Sequence, residues 1–297
     1  MSDDRIARCL LPTLSVRAVA AITTETAREA ARRHGASGGA AAALGRASTA
    51  AALLATLTKD LERVTLQLAG NGPLGAITVD ASSDGNLRAF VKHPGVPVPA
   101  APNQRVALGP FVGTQGVLGL VRDLGLKEHF SGQTQIVDGE IDTDVEHYLV
   151  TSEQIDSAIA CEALLGEDLA VRVSAGVLLQ ALPATEGAPL LELARQRFRE
   201  GLLTELLASD GTTASPESLV RAVVGPGIEL KVLDVRPLRF HCKCSRERAA
   251  NTLALVGTEE MAKLVEEDGG AQVVCEFCRE QYRFTAEEIA GILREGH

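Results

Sequence analysis

Four cysteines near the end of the chain form its most chemically specific pattern. Cys242 and Cys244 make a C-x-C pair and Cys275 and Cys278 a C-x-x-C pair, with thirty residues between the pairs. Each pair puts two sulfurs within reach of one ion, and a tetrahedral zinc takes four ligands at about 2.3 Å each. A lone C-x-x-C is shared with thioredoxin-like redox motifs, whereas two close pairs point to zinc or a similar thiophilic metal. The plain alternative is four unligated thiols in a small core. Lys243, Arg246, Arg248 and Arg279 all lie within four residues of a cysteine. They could offset the net charge of about −2 that four thiolates leave on a divalent ion. His241 is adjacent, but four cysteines already fill a tetrahedron, so it reads as a bystander.

Oxidation would change the wiring. If each pair closes on itself, the new bonds span three or four residues, and neither ties the first arm to the second as one ion does. Zinc binding is worth about 10–16 kcal/mol in small zinc domains. Local disulfides constrain the unfolded chain far less, because their stabilisation grows with loop length. The expectation is that oxidation ejects the metal and unfolds residues 236–297. A permanent zinc knuckle that never meets enough oxidant fits the same spacing.

The elements that must position these cysteines are short. Between the pairs, residues 258–267 read as a helix with Met261, Leu264 and Val265 inward. Tyr282 and Phe284 read as a strand, and Thr285 caps a last helix reaching about Leu293. A unit of about sixty residues needs a staple, and the metal is that staple. Upstream, residues 188–225 read as an amphipathic helical hairpin. Leu191, Ala194, Phe198 and Leu202 share one face, and Ser215 caps a second helix with Pro216 at its first position. Such a hairpin is too small to stand alone and must lie on a neighbour. Residues 15–60 read as helix-rich, with Ser37 capping an Ala-rich buried helix that carries Arg46. From Arg63 onward, alternating runs punctuated by Asn71-Gly72 and Asp84-Gly85-Asn86 indicate antiparallel hairpins. Further strands are expected at 116–122, 133–137 and 170–182, and a helix over 144–165 broken near Thr151-Ser152. The fold class is α+β: an antiparallel-sheet and helix body (1–183), an amphipathic helical linker (184–235) and a small C-terminal zinc-binding α+β domain (236–297).

Composition narrows the function. The chain has 297 residues, 45% of them hydrophobic and 23% charged, with a formal net charge of −10. That charge and an aromatic content of 3% argue against a nucleic-acid partner, which needs clustered Lys and Arg and stacking rings. The start is acidic and lacks a signal-peptide pattern, and the apolar run over 35–58 is interrupted by Arg46. No membrane partner is expected, and the compartment reads as the cytosol, where paired thiols suggest metal rather than structural disulfides.

Several stretches resemble the redox-regulated 33 kDa heat-shock chaperones of bacteria. They are FHCKCSRERAANTL (240–253), EEDGG (266–270) and VVCEFCREQYRF (273–284) at the C-terminal end. In the body they are RHGASGGAAAALGRAST (33–49), NGPLGAITVDA (71–81), VRDLGLKEHFSGQTQIVDGEI (121–141) and TSEQIDSA (151–158). The resemblance implies an ATP-independent holdase of the cytoplasmic stress response, not an enzyme, with Cys242, Cys244, Cys275 and Cys278 binding zinc in the reduced, inactive state. It further implies that oxidation forms Cys242–Cys244 and Cys275–Cys278 disulfides and releases the zinc. The linker then unfolds, a homodimer forms, and unfolding client proteins are captured. Gly38 stands where this family usually carries Pro, and His129-Phe130 replaces a usual Pro-Tyr. Cys9 and Cys161 lie outside the motif and read as inert buried thiols. The rival readings are a thiol-disulfide oxidoreductase using Cys275 and Cys278, and a constitutive zinc-stapled binding module. Apolar surface uncovered when residues 188–225 lose their packing is the expected client site.

Overall fold

The chain opens with two antiparallel strands, β1 (Arg5–Leu11) and β2 (Val16–Ile22), where sequence alone suggests helix from residue 15. Six of the seven β2 residues are buried, because helices cover both faces of its sheet, and period-two alternation is then erased. This computed structural model describes residues 4–57, 63–125, 130–182, 187–210, 214–256 and 269–295, together with 261, 263 and 265–267. The chain divides into two compact units, 1–241 and 242–297.

α1 (Thr24–His34) is followed by α2 (Gly38–Leu54), in which all 17 residues are buried. A helix made largely of Ala has no polar side to show water, so it must be enclosed on every side. Ser37 takes the cap position but its side chain makes no capping hydrogen bond. Gly38 adopts φ +56°, a conformation that proline, locked near −65°, cannot take. Gly176 lets α2 approach the sheet, since a Cβ there would stand 2.6 Å from the Thr49 Cγ2. Among the described residues no helix is long and apolar enough to cross a membrane.

The expected hairpins follow as β3 (Arg63–Gly70), β4 (Ala76–Ser82) and β5 (Asn86–Val91). After the short α3 (Gly109–Val112), β6 (Gly116–Asp123) pairs with β3 and β7 (Phe130–Gln135) pairs with β6. α4 (Ile141–Thr151) ends at the suspected break. The rest of that segment is not helix but a strand, β8 (Ser157–Leu165), paired with β9 (Val171–Ala181). All nine β8 residues are buried, so its apolar run carried no alternation to mark it.

The amphipathic segment forms α5 (Ala188–Arg199), α6 (Leu202–Asp210) and α7 (Pro216–Val224), then β10 (Lys231–Pro237) and β11 (Arg239–Phe240). Gly201, at φ +91°, splits what reads as one helix into α5 and α6. Ser215 and Ser218 form the capping box of α7. Two sheets result, with orders β10-β1-β2-β9-β8 and β11-β5-β4-β3-β6-β7, antiparallel except where β11 joins β5. α2 lies between them, and α5 to α7 cover the outer face of the first. The neighbour the hairpin requires is therefore this sheet. Val173, Ala175, Val177 and Leu179 of β9 meet Leu191, Leu203, Leu207 and Val220 there.

Polar contacts pin the same helices. Arg195 pairs with Glu146 and Asp156, Thr204 donates to the buried Glu162 at 2.7 Å, and Arg172 donates to the Leu207 carbonyl at 2.5 Å. Glu162 also belongs to a buried charged group. Arg46, fully buried on α2, meets Asp142 at 2.6 Å and Glu140 at 2.7 Å, and Arg105 bridges Asp142 and Glu162. A charge placed inside a protein must be paired, which is why the arginine in this alanine helix meets two carboxylates.

Asp144 is buried without such a cation among the described residues. Its Oδ1 accepts from the Val137 and Asp138 amides at 2.7 and 3.4 Å, and its Oδ2 has no partner among them. Burial, only partly opposed by those bonds, pushes its pKa up to about 6. The folded-state value is raised, so the stability of the protonated form is full below the unfolded value near 3.8 and is lost as pH rises through about 6. Asp144→Asn should therefore add about 2–3 kcal/mol to the unfolding free energy at pH 8 and little at pH 4. Urea unfolding at both pH values checks this.

The second unit contains α8 (Arg246–Ala254), a hairpin of β12 (Gly270–Val274) and β13 (Gln281–Thr285), and a terminal helix, Ala286–Glu295. Thr285 caps that helix as expected, its Oγ1 accepting from the Glu288 amide. Of the helix expected over 258–267, Met261 is helical and buried with Val265 packed nearby, whereas Leu264 lies outside the described residues. Among the described residues, Ala249, Leu253, Met261, Phe284 and Ile289 form its small buried core.

Candidate metal centre

Local structure sets each cysteine arm. Cys244 immediately precedes Ser245, the N-cap of α8, whose Oγ accepts from the Arg248 amide at 3.2 Å. The C-x-C pair thus stands at the positive end of a helix dipole, which favours thiolate. Cys275 and Cys278 occupy the turn of the β12–β13 hairpin. The Cys275 amide donates to the Glu280 carbonyl at 2.9 Å, and the Arg279 amide donates to the Cys275 carbonyl at 2.8 Å. Arg279 takes a left-handed φ of 60° to close that turn.

The fold brings all four sulfurs within 4.8 Å of one another. The Cys242 and Cys275 sulfurs are 3.7 Å apart, and those of Cys244 and Cys278 are 3.2 Å apart. A tetrahedron with metal–sulfur bonds of about 2.3 Å has edges of about 3.8 Å, so the cluster is the right size for one thiophilic ion. The donor set also fits. Burial first, and then the neighbouring thiols, push Cys278 up, and burial raises Cys244. Four sulfurs this close resist carrying charge together unless a cation joins them. Because cross-arm sulfurs touch, proximity alone selects neither the local nor the crossed disulfide pairing.

His241 is outside this group, and its amide donates to the Leu87 carbonyl at 2.8 Å. Arg246, expected to offset sulfur charge, instead pairs with Glu288 at 2.7 Å and lies 4.4 Å over the Phe284 ring. Cys9 and Cys161 are fully buried in the first unit. Burial pushes Cys9 up to about 11 and Cys161 well above its ordinary value, as suits inert thiols. A redox-enzyme thiol would need a helix N-terminus and a depressed pKa, yet the C-x-x-C is a hairpin turn and Cys278 is raised. Sequence reading missed one neighbour of the four sulfurs. The Tyr282 hydroxyl lies 3.2 Å from the Cys244 sulfur. Its placement on the cluster side of a strand four residues past Cys278 was the only available sign.

Comparison with known proteins agrees over nearly the whole chain. A family model described as Hsp33 protein matches residues 4–285. The chain is 38% identical to the 33 kDa chaperonin of Bacillus subtilis (strain 168), across 97% of this chain and 98% of that one. It is 39% identical to the 33 kDa chaperonin of Gloeobacter violaceus, across 98% and 96%. The crystal structure of the 33 kDa chaperonin from Thermotoga maritima superposes with a TM-score of 0.86 at 29% identity, covering 99% of each chain.

Proposed function

The chain belongs to the Hsp33 family of chaperones, which are not enzymes, and from that premise we propose that it is a redox-regulated, ATP-independent holdase. Cys242, Cys244, Cys275 and Cys278 are its zinc ligands in a reduced, inactive state. When bound, zinc supplies a four-way cross-link between two arms that are thirty residues apart in sequence. On oxidation Cys242 pairs with Cys244 and Cys275 with Cys278, the sulfurs give up the ion, and nothing strong joins the arms. The observation that carries this reading is the gathering of four thiols from two distant arms in a unit whose length calls for a staple.

The working division is a body (1–183), a linker (184–235) and a switch domain (236–297). The chain runs from α7 through β10 and β11 directly into the first cysteine arm. Unfolding of the switch domain thereby frees the chain that anchors the linker. Lifting α5 to α7 uncovers an outer sheet face lined by Ala18, Val173, Val177 and Leu179, which is apolar surface suited to unfolding proteins in the cytoplasm. A homodimer in the oxidised state completes the reading.

The test measures suppression of aggregation of a heat-unfolded client beside zinc release and disulfide mapping. Reduced, zinc-loaded protein should not suppress, and peroxide-treated protein should suppress after releasing one zinc per chain. Equal suppression in both states would sink the switch. Zinc retained under peroxide at raised temperature would favour a constitutive zinc-stapled module.

A further inference from the structure

Tyr282 is not among the four ligands, yet it touches one of them. It sits on β13 opposite Val273, and its hydroxyl is 3.2 Å from the Cys244 sulfur. Two residues on, Phe284 is buried in the small core and carries the Arg246 guanidinium at 4.4 Å, so the same strand grips the start of α8. A thiolate can only accept, so the phenol O–H is the donor.

We propose that Tyr282 is a positioning residue that restrains oxidation of Cys244 and thereby the closing of the Cys242–Cys244 pair. This rests on the redox reading above and adds its regulation. The oxidant is a peroxide. The Cys244 sulfur attacks one peroxide oxygen and the O–O bond breaks. With hydrogen peroxide, the sulfur becomes a sulfenic acid, and the departing hydroxide takes a solvent proton to leave as water. The Cys242 sulfur then displaces the sulfenic hydroxyl, which takes a second proton and leaves as water, and the S–S bond forms. Two thiolates lose two electrons and the peroxide gains them. The first step spends the lone pair of the Cys244 sulfur, on which the phenol hydrogen bond draws. A charge-assisted hydrogen bond weakens as its acceptor loses negative charge, so the phenol stabilises the resting thiolate more than the transition state.

The test uses full-length, reduced, zinc-loaded protein, with zinc release read by a chromogenic chelator. Time-resolved thiol trapping reads each cysteine pair under fixed hydrogen peroxide. In Tyr282→Phe, Cys242–Cys244 should close about three- to tenfold faster, with Cys275–Cys278 changed less than about twofold. Arg283→Ala, which removes a cross-strand hydrogen bond to Gln272 at 3.2 Å, controls for a loosened hairpin. Should Tyr282→Phe fail to hold zinc, 3-fluorotyrosine at position 282 keeps the ring and strengthens the donor. At mildly acidic pH it should slow Cys242–Cys244 closure. Unchanged rates in Tyr282→Phe, equal acceleration of both pairs, or no slowing by the fluorinated residue overturns the proposal. A wild-type protein that keeps its zinc and forms neither disulfide overturns the redox reading as well.

Discussion

Cys278→Ser should abolish tight zinc binding and unfold the second unit, while the first unit keeps its own melting transition. Cys278 is the most buried of the four cysteines, at 4% exposure, and it meets the opposite arm through Cys244. Without the ion, what joins the arms among the described residues is a small apolar cluster and exposed contacts such as Arg246–Glu288. An exposed ion pair adds about 0–1 kcal/mol, whereas structural zinc contributes about 10–16 kcal/mol in domains of this kind. On the proposed zinc site, loss of Cys278 therefore removes the largest stabilising contribution. Amide exchange should become fast throughout 242–297 and stay slow in β2, β8 and β9. Protection retained in the β12–β13 hairpin of metal-free protein would show that the small core suffices and that zinc is not the staple.

Asp142→Asn should destabilise the first unit by about 3–5 kcal/mol, the usual cost of leaving a buried charge without its partner. Arg46 is fully buried, and its Nη2 is 2.6 Å from Asp142. Burial alone would push Asp142 up, but Arg46 and Arg105 outweigh it and hold the carboxyl down to about 2. The folded-state value is depressed, so the stabilisation is present above the unfolded value near 3.8 and is lost as pH falls through about 2. The wild-type advantage over Asp142→Asn should therefore be constant near neutrality and shrink between pH 4 and 2. Chemical denaturation along that pH series measures it. A difference under about 1 kcal/mol at pH 7 would mean that Glu140 alone compensates Arg46.

The Ala-rich stretch around Arg46 already read as a buried helix, and the structure pairs that arginine with carboxylates. Nothing local says which carboxylate. Glu140, Asp142 and Glu162 come from the approach to α4, α4 itself and β8, and only packing of those elements around α2 brings them together. The strands β2 and β8 were hidden for a related reason. Their residues are covered from both sides, and burial on two faces removes the alternation that marks a strand. Hairpins β3 to β5 were legible because their turn dipeptides and alternating residues act over a few positions.

Sequence by itself determined the two cysteine pairs, their sulfur donor type, the caps at Ser215 and Thr285, and the amphipathic face of 188–225, since spacing and residue type act locally. Tertiary structure alone decided that α5 to α7 lie on the five-stranded sheet and that the Tyr282 hydroxyl reaches the Cys244 sulfur. It also decided that the sulfurs touch across the arms, with all four within 4.8 Å of one another. Those contacts join residues far apart in the chain, and their partners are chosen by how faces pack rather than by any short stretch of residues.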